Sequence, residues 1–222
     1  MSYVVNEMPA RIPPEKLEKY ARAETATIGH RRFMGFMDPA IQCLLPGKRV
    51  AGTAVTLALP GQDTTLLHHV IGLLGPGDFL CIDRLGDHKH ACLGGSVAAA
   101  LKTAGCVGVA IDGRATDLPE IEEYDLAVWC RGLSPITTRL YDVGGACNVP
   151  VACGGAVVNP GDVVIADFSG VLVMPPEEAE AEVDWALDYQ PADYERRQRL
   201  LAGAVMGEES GASALVRARS QD

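Results

Sequence analysis

Aromatic residues are scarce in this sequence. They make up 5% of 222 positions, with two Trp and four Phe. Val, Ala and Leu must therefore fill the core, and a hydrophobic content of 48% is enough for a sizeable one. Basic residues are also outnumbered, with 19 Lys and Arg against 29 Asp and Glu, for a formal charge of -10. No basic patch stands out, which sets nucleic acid aside as a partner. No stretch reaches the roughly 18 apolar residues of a membrane-spanning helix, so no membrane contact is expected. The opening M-S-Y-V-V-N-E-M-P lacks the basic-then-apolar pattern of a secretory signal. No C-x-x-C pair occurs among the seven cysteines at 43, 81, 92, 106, 130, 147 and 153. Most lie in apolar runs or beside glycines. This favours buried thiols in a reducing cytoplasm over a zinc site.

What the chain does have is concentrated between Cys92 and Tyr124. A glycine pair, Gly94-Gly95, opens a small-residue helix predicted over Ser96–Ala104, and Gly105 ends it, as glycine does just past a helix. A buried strand, Val107–Ile111, leads into the polar run Asp112-Gly113-Arg114-Ala115-Thr116-Asp117, and a second helix starts near Leu118. Two helix N-termini, with free N–H donors, thus fall near strand ends, the usual location of sites in open α/β folds.

Elsewhere, Pro13-Pro14 opens a helix expected over Glu15–Glu24, followed by a break or short helix at Thr25–His30. Arg49–Leu59 reads as a core strand, and Gln62-Asp63-Thr64 as the cap of a helix reaching Leu74. Pro76–Asp83 and Pro160–Asp167 share a Pro-Gly turn, an apolar strand and an Asp. Strands are expected at Leu126–Cys130, Asn148–Cys153 and Val171–Met174, with a polar loop over Ser134–Tyr141. Two helices follow, Glu177–Asp188 and Pro191–Ala202. Residues 1–202 read as a single domain, and 203–222 as a Gly-, Ser- and charge-rich tail that is mobile or docked on a neighbour. The many adjacent strands in the second half predict a mixed α/β fold with β-β connections.

Taken together, P-G-D-x-x-x-x-D, G-G-S-V-A-A-A-L-K-T-A-G-C-V-G-V-A-I-D-G, N-V-P-V-x-x-G-G and P-G-D-V-V-I-A-D-x-x-G-V-L-V-M-P resemble the RraA-like family over residues 20–185. That family includes the 4-hydroxy-4-methyl-2-oxoglutarate aldolases and the RraA regulators of ribonuclease activity. The resemblance implies a three-layer β/β/α, phosphohistidine-domain-like fold. It also implies homotrimers or dimers of trimers, with the site between subunits. In the aldolase branch a D-G-x-x-R-D signature supplies an Arg for the keto-acid carboxylate and enolate. Its final Asp holds Mg²⁺ or Mn²⁺, partly through waters, and an earlier glycine segment supplies backbone amides. Carried over, the amide segment falls on Gly94, Gly95, Ser96 and Val97, and the metal Asp on Asp117. The Arg position is occupied by Thr116, and an acidic position of the aldolases by Gly95.

Asp117 has a second reading, since Asp117-Leu118-Pro119-Glu120 has the form of a helix capping box. Thr116 carries no charge and cannot clamp a carboxylate as Arg does. The cation is expected from Arg114, with Arg131 and Arg84 as further candidates. Asp112 reads as turn chemistry. Asp87, His88 and His90 form a polar knot able to bind a transition metal or supply a base. One of His68 and His69 is expected to face the core or a subunit contact. The expected activity is a Mg²⁺- or Mn²⁺-dependent carbon–carbon lyase, an aldolase or decarboxylase. Its substrate would be a small 2-oxo acid, cleaved through a pyruvate-type enolate with Arg114 and Asp117 catalytic. The alternative is a non-enzymatic regulator that binds an RNA-degrading enzyme.

Overall fold

The computed structural model describes residues 2–220. The first half contains β1 (Tyr3–Val5), α1 (Pro14–Tyr20), α2 (Thr25–Ile28), β2 (Gln42–Cys43), β3 (Val50–Ala58) and α3 (Thr65–Ile71). Next come β4 (Asp78–Asp83), β5 (Ala91–Leu93), α4 (Gly95–Ala104), β6 (Gly108–Ile111), β7 (Arg114–Ala115) and α5 (Leu118–Glu123). The strands β8 (Val128–Cys130), β9 (Gly145–Cys147), β10 (Val151–Cys153), β11 (Ala156–Val158), β12 (Val163–Asp167) and β13 (Gly170–Met174) follow. The helices α6 (Pro176–Leu201), α7 (Met206–Glu209) and α8 (Ala212–Arg219) complete the described chain.

Strand alternation builds the core. Successive strand side chains face opposite sides of a sheet. Strands β3, β4, β6 and β8 run parallel at the centre of a nine-stranded sheet. Val55, Leu57, Leu80, Ile82, Val109, Ile111 and Val128 face one side, against Leu66, Leu67 and Val70 of α3, Leu101 of α4 and Ile121 of α5. Ala54, Phe79, Cys81, Ala110 and Trp129 face the other side, under Val151, Cys153, Ala156 and Val158 of the β10–β11 hairpin. Phe79 and Trp129, centroids 5.8 Å apart, supply the bulk that small neighbours leave unfilled. Antiparallel β12 and β13 extend the sheet from β3, and α1, α2 and α6 cover them through Leu17, Tyr20, Ile28, Ala179 and Val183. The result is a mixed α/β fold with a helical layer, a large sheet and a hairpin layer.

Two readings of the sequence change. The expected pair of helices around Pro191 is one helix, α6, with Pro191 inside it. A proline costs its helix one hydrogen bond and a clash with the carbonyl four residues back. Here the last buried side chain of α6 is Ala186, so the freed carbonyl is not sealed in the core. The helix expected over Glu15–Glu24 ends at Tyr20, and α2 forms within the segment expected as a break or short helix at Thr25–His30. Residues 203–220 contain α7 and α8, joined to α6 by Arg199–Glu209 at 2.8 Å. Six cysteines are buried and Cys43 is half-buried, all as free thiols.

Candidate functional site

The parallel strands end where α3, α4 and α5 begin, and a cleft of about 320 Å³ opens there. Its lining includes Gly94, Gly95, Ser96 and Val97 from the start of α4, and Thr116 and Asp117 from the start of α5. The structure therefore brings together six of the residues singled out in the sequence. Gly105, at φ +84, closes α4 in the left-handed conformation glycine adopts freely.

Asp117 is the hinge of the arrangement. It stands at the N-cap of α5 but makes no side-chain cap bond there. Its left-handed backbone, φ 54 and ψ 52, departs from the extended conformation of an ordinary N-cap and turns the carboxylate toward the neighbouring helix. The amide of Gly95 donates to Asp117 Oδ2 at 2.9 Å, and the Thr116 hydroxyl donates to Oδ1 at 3.0 Å. The capping-box reading is thus replaced by a carboxylate that bridges two helix starts. Gly94 makes this possible, because a Cβ there would lie 2.6 Å from Asp117 Oδ2. Gly95 leaves room for Glu120, whose Cγ would stand 3.1 Å from a Cβ at position 95.

The amides of Ser96 and Val97 lie in the first turn of α4, where helical geometry provides no partner. Among the described residues neither donates to an acceptor outside the helix. Asp117 is exposed and forms no ion pair among the described residues. A lone, unneutralised carboxylate open to solvent fits Mg²⁺, which keeps several waters and binds through one or two carboxylates. No group of three or more His, Cys, Asp or Glu able to cage a metal is found among the described residues. Cys92 also lines the cleft, but burial pushes its thiol up to about 11, so it stays protonated and unreactive.

The remaining candidates lie elsewhere. Arg114 donates from Nε to the His88 carbonyl at 2.9 Å and from Nη1 to the Arg131 carbonyl, and it does not line the cleft. Arg131 pairs with Asp112 and, at 3.0 Å, with Asp38. Asp112 also accepts the Gly154 amide at 2.9 Å, which ties the β10–β11 hairpin to the sheet. Arg84 is fully buried, bonded through Nη2 to the Gly61 carbonyl and to Asp87 at 3.2 Å, while its Nε and Nη1 have no acceptor. Asp87 accepts His90 Nδ1 at 2.8 Å and the Lys89 amide at 2.8 Å. Burial would raise the Asp87 carboxyl, but these donors hold it below the usual range. His88 is exposed. Both His68 and His69 are exposed, and His68 lines the cleft, so neither faces the core.

The cleft also contains residues that sequence reasoning missed: Thr64, Thr137, Thr138 and Arg139. The stretch expected as a polar loop is an extended rail. Ser134 N–H donates to the Ala115 carbonyl at 2.9 Å, Ala91 N–H to Ile136 at 2.8 Å, and Arg139 N–H to Gln62 at 2.9 Å. Thr64 N–H returns a bond to the Arg139 carbonyl at 2.9 Å. Fully buried Asp63 fastens the far end, accepting Tyr141 N–H at 3.0 Å and Val143 N–H at 2.7 Å as well as the Thr65 amide and hydroxyl. Burial alone would raise the Asp63 carboxyl, yet the four donors hold it well below the usual carboxylate range. The β-branched run Ile136-Thr137-Thr138 was the available signal for an extended segment.

A family model described as RraA-like, Aldolase/RraA, matches residues 25–173. A Halalkalibacterium halodurans protein provisionally named a 4-hydroxy-4-methyl-2-oxoglutarate aldolase is 31% identical over 170 residues, covering 77% of this chain and 80% of the relative. Among solved structures, Streptomyces coelicolor RraAS2, described as an unusual member of the RNase ES inhibitor RraA protein family, superposes with a TM-score of 0.75. It is 30% identical and covers 85% of this chain and 100% of its own. An uncharacterized protein from Pseudomonas syringae pv. tomato superposes with a TM-score of 0.77 at 21% identity, which speaks to the fold. No helix among the described residues is long and apolar enough to cross a membrane.

Proposed function

Because the chain belongs to the RraA-like family, we propose that it is a divalent-metal-dependent lyase that cleaves a small 2-oxo acid through a pyruvate-type enolate. The observation that carries this reading is Asp117, an unpaired carboxylate fixed by the Gly95 amide beside the uncovered first-turn amides of Ser96 and Val97. The relatives named as aldolases point the same way.

Asp117 would hold Mg²⁺ or Mn²⁺, and when bound that cation supplies Lewis-acid stabilisation of the charge developing on the 2-oxo oxygen. The Ser96 and Val97 amides would hold the substrate carboxylate at the positive end of α4. Thr116 braces the Asp117 carboxylate through its hydroxyl and leaves the site without the charge an arginine would bring. Aldol cleavage and decarboxylation share the enolate, and the same residues would serve either. The relation to RraAS2 supports a second reading, regulation by contact with an RNA-degrading enzyme.

The test is pyruvate release from oxaloacetate, 4-hydroxy-4-methyl-2-oxoglutarate and 4-carboxy-4-hydroxy-2-oxoadipate, with and without chelator. Release by the wild type that chelator and Asp117→Ala both abolish is the expected result. Turnover that survives Asp117→Ala would place the chemistry elsewhere. A folded, metal-free, inactive protein that captures an RNase complex from native lysate would favour regulation.

A further inference from the structure

We propose that Arg139 is the cation that binds the ligand's carboxylate in this cleft, an assignment that rests on the lyase reading of the same site. Position 116, where the resemblance calls for an arginine, offers only a hydroxyl, and that hydroxyl is already directed to Asp117 Oδ1. The other three arginines considered are directed elsewhere. Arg114 is held on two backbone carbonyls, Arg131 on two carboxylates, and Arg84 lies buried beneath Gly113 against Asp87. None of them lines the cleft, whereas Arg139 does.

Arg139 differs from those three in how it is held. Its backbone is fixed on both sides, by bonds to Gln62 and from Thr64, each of 2.9 Å. Its side chain is exposed and meets no hydrogen-bond or ion-pair partner among the described residues. A guanidinium offers a planar fork that matches a carboxylate with two parallel N–H bonds, which neither Thr nor Lys reproduces. The same cleft holds a second unused group, since Thr64 Oγ1 is buried without a partner and Thr64 is only 5% exposed. His68, one helical turn after Thr64, lines the cleft beside it. The uncovered Ser96 and Val97 amides belong to the same lining, so a small anion has donors from two walls.

The rail from Ser134 to Tyr141 therefore acts as a positioning element. Asp63 anchors its end through Tyr141 and Val143, and Arg139 lies two residues before the first of these. Changes in that rail would retune ligand affinity without touching Asp117.

The probe is oxalate, a planar dianion that mimics a 2-oxo acid's carboxylate end, titrated calorimetrically into the Mg²⁺-loaded protein. Arg139→Gln is expected to weaken oxalate about tenfold or more, as loss of a charge-assisted pair implies. Arg139→Lys should recover only part of that affinity. Mg²⁺ affinity and melting temperature should stay at wild-type values in both variants. Oxalate binding unchanged in Arg139→Gln would overturn the assignment, as would a Mg²⁺-loaded wild type that does not bind oxalate. Arg139-dependent oxalate binding without pyruvate release from any 2-oxo acid would leave the carboxylate site standing and remove the lyase reading. Pyruvate release with KM and oxalate affinity indifferent to Arg139 would do the reverse.

Discussion

Replacing Gly94 by Ala tests the site at its tightest point. The backbone of Gly94, φ -133 and ψ -168, is extended and open to any residue, so the substitution brings no conformational strain. The added Cβ, however, would stand 2.6 Å from Asp117 Oδ2 and 2.9 Å from Thr116 Cγ2, well inside the 3.4 Å at which ordinary contact begins. The carboxylate is the nearer obstacle, and its displacement breaks the 2.9 Å bond from the Gly95 amide. A hydrogen bond to a charged group contributes about 1.5–3 kcal/mol, and overpacking costs a similar amount. One relieves the other, so the two do not add, and a loss of about 1.5–3 kcal/mol is expected. For a chain of this size that corresponds to a melting temperature lower by about 3–12 °C. Pyruvate release should fall toward the level of Asp117→Ala, because the group expected to hold the metal is moved. A double-mutant cycle isolates the cause. With Asp117→Ala in place, alanine at 94 has no carboxylate to displace and should cost less, giving a coupling of about 1 kcal/mol or more. An unchanged melting temperature with full activity, or strictly additive costs in the cycle, would show that the absence of a side chain at Gly94 does not set the position of the Asp117 carboxylate.

Other consequences follow from the same structure. Asp63→Asn replaces an acceptor of four donors with an amide that can satisfy only some of them, and should destabilise by about 2–4 kcal/mol while raising KM through the displaced Arg139 rail, as denaturant titration and kinetics would show. The Asp63 carboxyl titrates below its unfolded value of about 3.9, so its stabilisation is fully present above that pH and is lost as pH falls through the lower folded value. The stability difference between wild type and Asp63→Asn should accordingly shrink below about pH 4, and a difference that widened there would contradict the assignment. Pro191→Ala should raise helical circular dichroism and leave activity unchanged, since it restores an N–H to α6 beyond its last buried residue. A lower melting temperature in that variant would show that the proline serves the packing of α6.

The strands were legible in the sequence because their physics is local. Arg49–Leu59, Pro76–Asp83 and Val171–Met174 alternate side chains between two apolar layers, and β3, β4 and β13 form there. The helix of Ser96–Ala104 was equally plain, since Gly94-Gly95 and Gly105 mark both of its ends. The gathering of residues 94–97 with 116 and 117 was also readable, because helix starts and strand ends place them together. Three features were not. The direction of the Asp117 carboxylate depends on a left-handed backbone at 117, and the D-x-x-E pattern suggests the opposite direction. Arg139 reaches the cleft through hydrogen bonds to residues 62 and 64, distant in sequence, and no local pattern announces them. Pro191 reads as a helix break, and only the burial of α6 shows that the helix has already left the core there.

Enolate stabilisation at Asp117 predicts exchange of the methyl protons of pyruvate in D₂O, a reaction that needs no knowledge of the natural substrate. Proton NMR should show the methyl signal fading with wild-type protein and Mg²⁺, faster than with Mg²⁺ alone, and the effect should vanish with chelator or in Asp117→Ala. A folded wild-type protein that binds Mg²⁺ yet leaves the methyl signal at the rate of the metal control would exclude enolate stabilisation at Asp117.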